Sequence, residues 1–329
     1  MMALSHAALT LGDGQEAEDN SRIMPSRRQF NYALALALPG LLTVHHRGAP
    51  LRVLVVDGIN NHDWRRATAG ISRILSRTGL FAVEVSTSPP REALPKEWDF
   101  WKPAFSRYDV IVNNFNGGES DQGIQWPDRV KEALEAYLRG GGGLVVLHAA
   151  NNAFLPWAAY NQMIGLGWRK KTYGRGIRIS DRGQVEFIPQ GTGLDPGHPD
   201  RMDFQIHVRD THHPITRNMP KVWMHPSEQL THGQHGPAEG LTILTYAHSP
   251  VSQANEPMDW VRRYGQGRVY TTMLGHTWVG EPSPNLDCVG FQTLFARGVE
   301  WAATGRVMIP IPSDFPGPSN ISLRPLDLS

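Results

Sequence analysis

Residues 140–152 read GGGGLVVLHAANN, and no other stretch of the chain constrains its fold so tightly. The four glycines end one segment. Leu144 to Leu147 then form a continuous apolar run, long enough for one strand buried on both faces. Such a strand belongs in a parallel sheet covered by helices on both sides. It ends at His148, followed by small residues and a new segment. In open α/β sheets ligands gather beyond the carboxyl ends of the strands, so His148 stands where a catalytic or metal-binding group would. A histidine satisfied within its own loop is the bland alternative. Further histidines at comparable strand ends favour the functional reading.

The flanking pattern predicts the rest of that sheet. Residues 51–58 (LRVLVVDG) read as a first parallel strand, and Asn61 or Asp63 can cap a helix over about 64–78. Residues 80–88 and 108–115 give two more strands, separated by a connection bearing Pro and Trp. A helix around Val130–Leu138 stops at Gly140. This alternation predicts an α/β fold with a doubly wound, mostly parallel sheet and right-handed crossovers. Residues 153–235 are richer in Gly, Pro, His and Trp, with shorter strand-like pieces at 185–189 (VEFIP) and 203–210 (DFQIHVRD), and are expected to be an irregular insertion beside the sheet that walls a pocket. Strands resume at 241–248. A hairpin follows, Trp260–Tyr264 with Arg268–Met273, turned by Gly265-Gln266-Gly267. A helix from about Asp287 to Ala303 closes the domain. Residues 306–329 form a Pro-rich tail expected to wrap loosely.

Composition excludes several classes. The net charge is +1 and no basic stripe stands out, so no nucleic-acid partner is expected. The single cysteine, Cys288, rules out an internal disulfide and a Cys-based metal cluster. It falls in an amphipathic helical pattern and reads as a small core residue. Residues 1–47 read as a disordered start followed by a targeting segment. Ser26-Arg27-Arg28-Gln29-Phe30 resembles the twin-arginine export signature, ahead of the apolar stretch Tyr32–Leu42. That stretch is too short for a stable membrane span. A periplasmic or secreted location is the expectation.

The 14 histidines make no compact motif such as H-E-x-x-H, so their local spacing decides little. Their placement says more. His62 and Asp63 follow the first strand, His148 the fourth, and His276 the last, in Leu274-Gly275-His276-Thr277-Trp278. These ends converge on one sheet edge. Asp63 is equally a helix N-cap, His62 reads better as an exposed turn residue, and His276 as a group of the site or of its own turn. His225 and Glu228, in WMHPSEQL, would face opposite sides of a strand but share a face on a helical turn. Glu228 is the preferred carboxylate. Asn114, Asn151, Asn152 and Trp278 are candidate substrate contacts, and Trp157, Trp168 and Trp223 are further aromatics that pack or line a sugar site. The glycine run precedes a strand and lacks a following Lys-Ser/Thr, so no nucleotide cofactor is expected.

Five segments in order, LRVLVVDGINNHDW, GGGGLVVLHAANN, HHPITRNMP, WMHPSEQL and GQGRVYTTMLGHTW, resemble the ThuA-like (trehalose utilisation) family over about residues 51–305. The resemblance implies the fold of class I glutamine amidotransferases, a flavodoxin-like arrangement. Those enzymes carry a cysteine at the strand-to-helix elbow where this chain has His148, so amidotransferase chemistry should be absent. Members often show an Asp-Glu pair where this chain has Ser227-Glu228. The resemblance implies carbohydrate catabolism, including routes through 3-keto sugars. The resulting expectation is an exported lyase or hydrolase acting on a disaccharide, glycoside or keto-sugar. His148, Glu228 and Asp63 would be catalytic. His148 and His276 would hold a divalent metal, zinc or manganese. A small carbohydrate is the expected partner, and a homo-oligomer is left open. A non-catalytic sugar-binding protein or an interaction module on the same fold is the alternative.

Overall fold

In the computed structural model, residues 48–328 are described. The targeting segment and the export signature lie outside them. Strands β1 (Leu51–Asp57), β2 (Phe81–Thr87), β3 (Val110–Asn113) and β4 (Gly143–Leu147) alternate with helices α1 (Trp64–Arg77), α2 (Pro95–Phe100) and α3 (Asp128–Arg139). Helix α4 (Ala158–Ile164) then precedes β5 (Arg175–Ile179), β6 (Val185–Ile188), β7 (Met202–Val208), β8 (Val222–Glu228), β9 (His235–Gly236), β10 (Thr242–Ser249), β11 (Ala254–Tyr264) and β12 (Gly267–Thr272). Helices α5 (Pro284–Asp287) and α6 (Val289–Thr304) follow.

The sheet order is β2-β1-β3-β4-β12-β11-β10-β7-β8. From β2 to β12 every pairing is parallel, and from β12 to β8 every pairing is antiparallel. The parallel half is the doubly wound unit expected from the sequence. Alternation along β1 explains its two buried faces. Val53 and Val55 pack with Ile71 and Leu75 of α1 and Leu294 and Phe295 of α6. Leu54 and Val56 point the other way, toward Val130 and Leu134 of α3 and Tyr160 and Met163 of α4. Gly143 opens β4 because a Cβ there would stand 2.3 Å from the Ala302 carbonyl oxygen, so only glycine lets α6 end against the strand.

In residues 153–235 the strand-like pieces at 185–189 and 203–210 are β6 and β7, while β5, β8 and the start of β9 add strand that the sequence does not indicate. Short, polar strands with bulges lose the clean alternation that marks a strand in sequence. The tail is also less loose than expected. The Gly317 carbonyl accepts from Met224 N–H at the β8 edge, Val289 N–H donates to the Ser322 carbonyl, and Arg324 N–H donates to the Asp287 carbonyl. Leu326 is buried among α1 and α6. Prolines set such a strap's path but leave their neighbours free to bond. Cys288 is fully buried as a core residue. Among the described residues no helix is long and apolar enough to cross a membrane.

Candidate functional site

Because β1, β3, β4 and β12 run parallel, their carboxyl ends share one edge of the sheet. The chain leaving β4 turns abruptly at His148, whose φ is +41°. A left-handed residue other than glycine costs on the order of 1 kcal/mol or more and persists only where its surroundings enforce it. Here the enforcing contact is a 2.6 Å hydrogen bond from His148 Nδ1 to the Met273 carbonyl at the exit of β12. A carbonyl oxygen only accepts, so Nδ1 carries the proton and Nε2 keeps a bare lone pair.

The loop after β1 reaches the same place from across the sheet. Asp63 N–H donates to the Thr277 carbonyl (3.2 Å), and Thr277 Oγ1 donates to the Asp63 carbonyl (2.9 Å). This double tie carries His62 to the exit of β12. Its Nδ1 lies 2.9 Å from Asn61 Oδ1, an oxygen that also accepts from Asn116 Nδ2 at 3.0 Å. His62 therefore also presents a bare Nε2. Gly275, at φ +103°, makes the turn that delivers His276. The ring centroids of His62, His148 and His276 are 4.9, 4.9 and 5.3 Å apart. One nitrogen from each lies within 4.8 Å of the others. Neither ring nitrogen of His276 has a hydrogen-bond partner, although the residue is buried.

Burial, then the neighbouring imidazoles, push His62 down to about 2 and His276 down to about 3, and burial lowers His148 as well. All three are neutral at physiological pH. They line a cavity of about 550 Å3 together with Asn61, Asn152, Trp168, Trp278 and the acids Glu119, Asp200 and Glu281. Trp278 stacks nearly parallel to His276 (6.1 Å, 6°) and remains 42 % exposed, leaving an aromatic surface open to solvent beside the cluster. Arg201 is the one Arg or Lys on the wall, and its donors are spent on the Ser227 and Pro282 carbonyls and on Glu281.

The expected site residues separate into two groups. His148, His276, Asn152 and Trp278 line the cavity. Glu228, Asp63, Asn114 and Asn151 do not, and each is committed to the scaffold. Asp63 caps α1 by accepting from Arg66 N–H. Asn114 ties the Trp64 carbonyl to Thr68. Asn151 bridges the Leu166 carbonyl and Trp168 N–H. Glu228 is fully buried behind the His276 turn, accepting from Gly275 N–H (2.6 Å), His276 N–H (3.2 Å), Gln229 N–H (3.0 Å) and Asn285 Nδ2 (3.0 Å).

His225 and Glu228 do meet, at 3.3 Å, although both sit in β8. Opposite them β7 advances two residues, Met202 to Phe204, while β8 advances three. That bulge, with Ser227 at φ +43°, puts residues three apart on one side. Burial opposes charge on both partners but is outweighed. Cys288 and Glu228 raise His225 to about 9, and His225 with the cluster imidazoles holds Glu228 well below the usual carboxylate range. The result is a buried imidazolium–carboxylate pair supporting the turn. Trp157 and Trp223 are core residues, whereas Trp168 lines the cavity. His62 is the member of the cluster that sequence reasoning assigned to solvent. Its place after β1 was the only available signal.

Comparison with known proteins agrees with this architecture. No curated protein gives a significant match. A ThuA-like protein of Parabacteroides merdae superposes with a TM-score of 0.77 at 31% identity, covering 84% of this chain and 98% of that one. A second ThuA-like protein, from Bacteroides uniformis, shares the fold at a TM-score of 0.50 and 14% identity, covering 83% of this chain and 97% of its own. The ThuA family, described as trehalose utilisation, matches residues 52–302 and ties the chain to carbohydrate utilisation. The chain belongs to the ThuA family.

Proposed function

We propose that this protein is an enzyme acting on an uncharged disaccharide, glycoside or keto-sugar, with the three-histidine cluster as its chemical centre. The observation that carries the reading is the convergence of His62, His148 and His276, one ring nitrogen of each within 4.8 Å of the others, in a cavity of about 550 Å3. That volume suits a small ligand. Trp278 and Trp168 supply aromatic faces for the apolar side of a sugar ring, and Asn61 and Asn152 supply amides for hydroxyls. Three acids against one fully engaged arginine disfavour a phosphorylated ligand.

The chemistry follows from neutral imidazoles in a buried site. A ketone acidifies the C–H bond on the adjacent carbon. His148 Nε2 accepts that proton, the C–H electron pair forms a carbon–carbon double bond, and the glycosidic C–O bond breaks with its electrons. The departing oxygen takes a proton from an imidazolium of the cluster, which restores the neutral enzyme. General acid–base steps of this kind contribute typically ~10²–10⁴ in rate. The export signature at Ser26–Phe30 supports placing the enzyme outside the cytoplasm. The test is to incubate the protein with oxidised and unoxidised disaccharides and follow release of the free sugar. Turnover that disappears in His148→Ala supports the reading. Saturable sugar binding without product makes the protein a binding module instead, and neither result retires the carbohydrate assignment of this cavity.

A further inference from the structure

We propose that His62, His148 and His276 form a mononuclear divalent-metal centre selective for zinc-like ions over manganese, magnesium and calcium. The proposal concerns the protein's own affinity for an ion and stands whether or not the cavity takes a sugar.

Three features of the geometry point to an ion. First, two of the three imidazoles have their outward nitrogen held by a fixed acceptor. His148 Nδ1–H donates to the Met273 carbonyl and His62 Nδ1–H to Asn61 Oδ1. Metal-ligating histidines are almost always oriented this way, because the outer hydrogen bond fixes the tautomer and aims the other nitrogen. Second, the third imidazole is buried with both nitrogens unpartnered. A buried polar atom without a hydrogen bond costs about 1–3 kcal/mol, so a native structure that tolerates it usually supplies a partner by other means. Third, one ring nitrogen from each of three histidines on separate loops lies within 4.8 Å of the others. Nitrogens sharing a tetrahedral ion at about 2.0–2.1 Å stand roughly 3.3 Å apart.

The ligand set also selects the ion. All three donors are neutral nitrogens. The nearest buried carboxylate, Glu228, is turned away and saturated by the N–H groups of Gly275, His276 and Gln229 and by Asn285. No carboxylate joins the three histidines in the cluster, and of the wall acids Glu119 accepts from Asn152 Nδ2 and Glu281 from Arg201, whereas zinc and cobalt accept imidazole readily. Three protein ligands leave a fourth position facing the cavity, the pattern of a catalytic and not a structural site. An ion held by His62, His148 and His276 would occupy the His148 lone pair and would supply Lewis-acid polarisation at the open position.

The test uses full-length protein purified without a histidine tag and stripped with a chelator. Zinc and cobalt(II) are titrated separately by equilibrium dialysis with elemental analysis, and cobalt binding is also followed by its visible absorption. One ion per chain is expected. His148→Ala and His276→Ala should each lose at least ~100-fold in affinity, and Asn61→Ala roughly 10–100-fold through the outer hydrogen bond. His62 lies on a loop and is only partly buried, so His62→Ala keeps the fold and loses affinity as His148→Ala does. His207→Ala, whose ring stacks on Tyr246 away from the cavity, should bind normally. Zinc should raise the melting temperature of the stripped wild type but not of His62→Ala. Sub-stoichiometric zinc, equal affinity in His62→Ala, or manganese binding as tight as zinc overturns the proposal. Failure here with intact sugar turnover leaves the imidazole-base reading standing. Metal binding without turnover overturns that reading alone.

Discussion

Glu228→Gln is the most informative change to the scaffold of the site, because it removes charge while keeping shape. The carboxylate accepts four N–H donors in a fully buried setting and faces His225 at 3.3 Å. A glutamine keeps one oxygen, which serves Gly275 and Asn285 or serves Gln229, but not both sets. Its amide group then points donors at a donor. One buried unsatisfied group costs about 1–3 kcal/mol. The imidazolium of His225 loses its counter-charge too, and breaking a buried pair from one side costs about 3–5 kcal/mol. These penalties overlap, since His225 sheds its proton once the carboxylate is gone, so the expected total is about 3–5 kcal/mol. Urea unfolding followed by tryptophan fluorescence measures it, with unchanged slope and a lower midpoint. Glu239→Gln is the reference. Its ion pair with Arg175 is largely exposed and should cost less than about 1 kcal/mol. A Glu228→Gln loss no larger than that of Glu239→Gln refutes the claim that this carboxylate holds the His276 turn.

Other outcomes follow from the same arrangement. The cluster imidazoles have folded pKa values below the unfolded value of about 6.5, so below that pH the unfolded chain binds protons that the folded chain refuses. The stability they contribute is complete above about pH 6.5 and is lost as pH falls toward 3, so urea midpoints at pH 7 and 4.5 should differ less in His62→Ala than in wild type. Leu326→Ala should destabilise by about 2–5 kcal/mol, because the side chain is buried against α1 and α6, and a cost under about 0.5 kcal/mol would show the tail to be a loose appendage. Replacing Arg27 and Arg28 by lysine should leave the protein in the cytoplasm in a fractionation experiment, and unchanged export would remove the twin-arginine reading.

The parallel half of the fold was legible because apolar runs such as Val53–Val56 and Leu144–Leu147 are buried on both faces and admit few other interpretations. His148 was legible for the same reason, as the residue at which such a run stops. His62 was not. Its approach to His276 depends on Asp63 and Thr277, which are 214 residues apart and are tied by one backbone hydrogen bond and one from the Thr277 hydroxyl to the Asp63 carbonyl, a pairing that neither residue's local sequence signals. The His225–Glu228 contact was hidden by a bulge that changes the side-chain period of β8 at Ser227. Glu228 invited a catalytic role by its residue type, but its partners are mostly backbone N–H groups supplied by a distant turn. Asn114 and Asn151 show the same effect. An asparagine near a strand end can face ligand or scaffold, and the choice is made by which carbonyl lies within reach.

The central claim is that three imidazoles from three separate strand ends act as one centre. Crystals of the protein loaded with zinc and measured at the zinc absorption edge test it most directly. The account predicts a single strong anomalous peak about 2.0–2.1 Å from one nitrogen each of His62, His148 and His276, with solvent or ligand on the cavity side. Peaks only at surface histidines, with the three rings splayed apart and separately hydrogen-bonded, would contradict it.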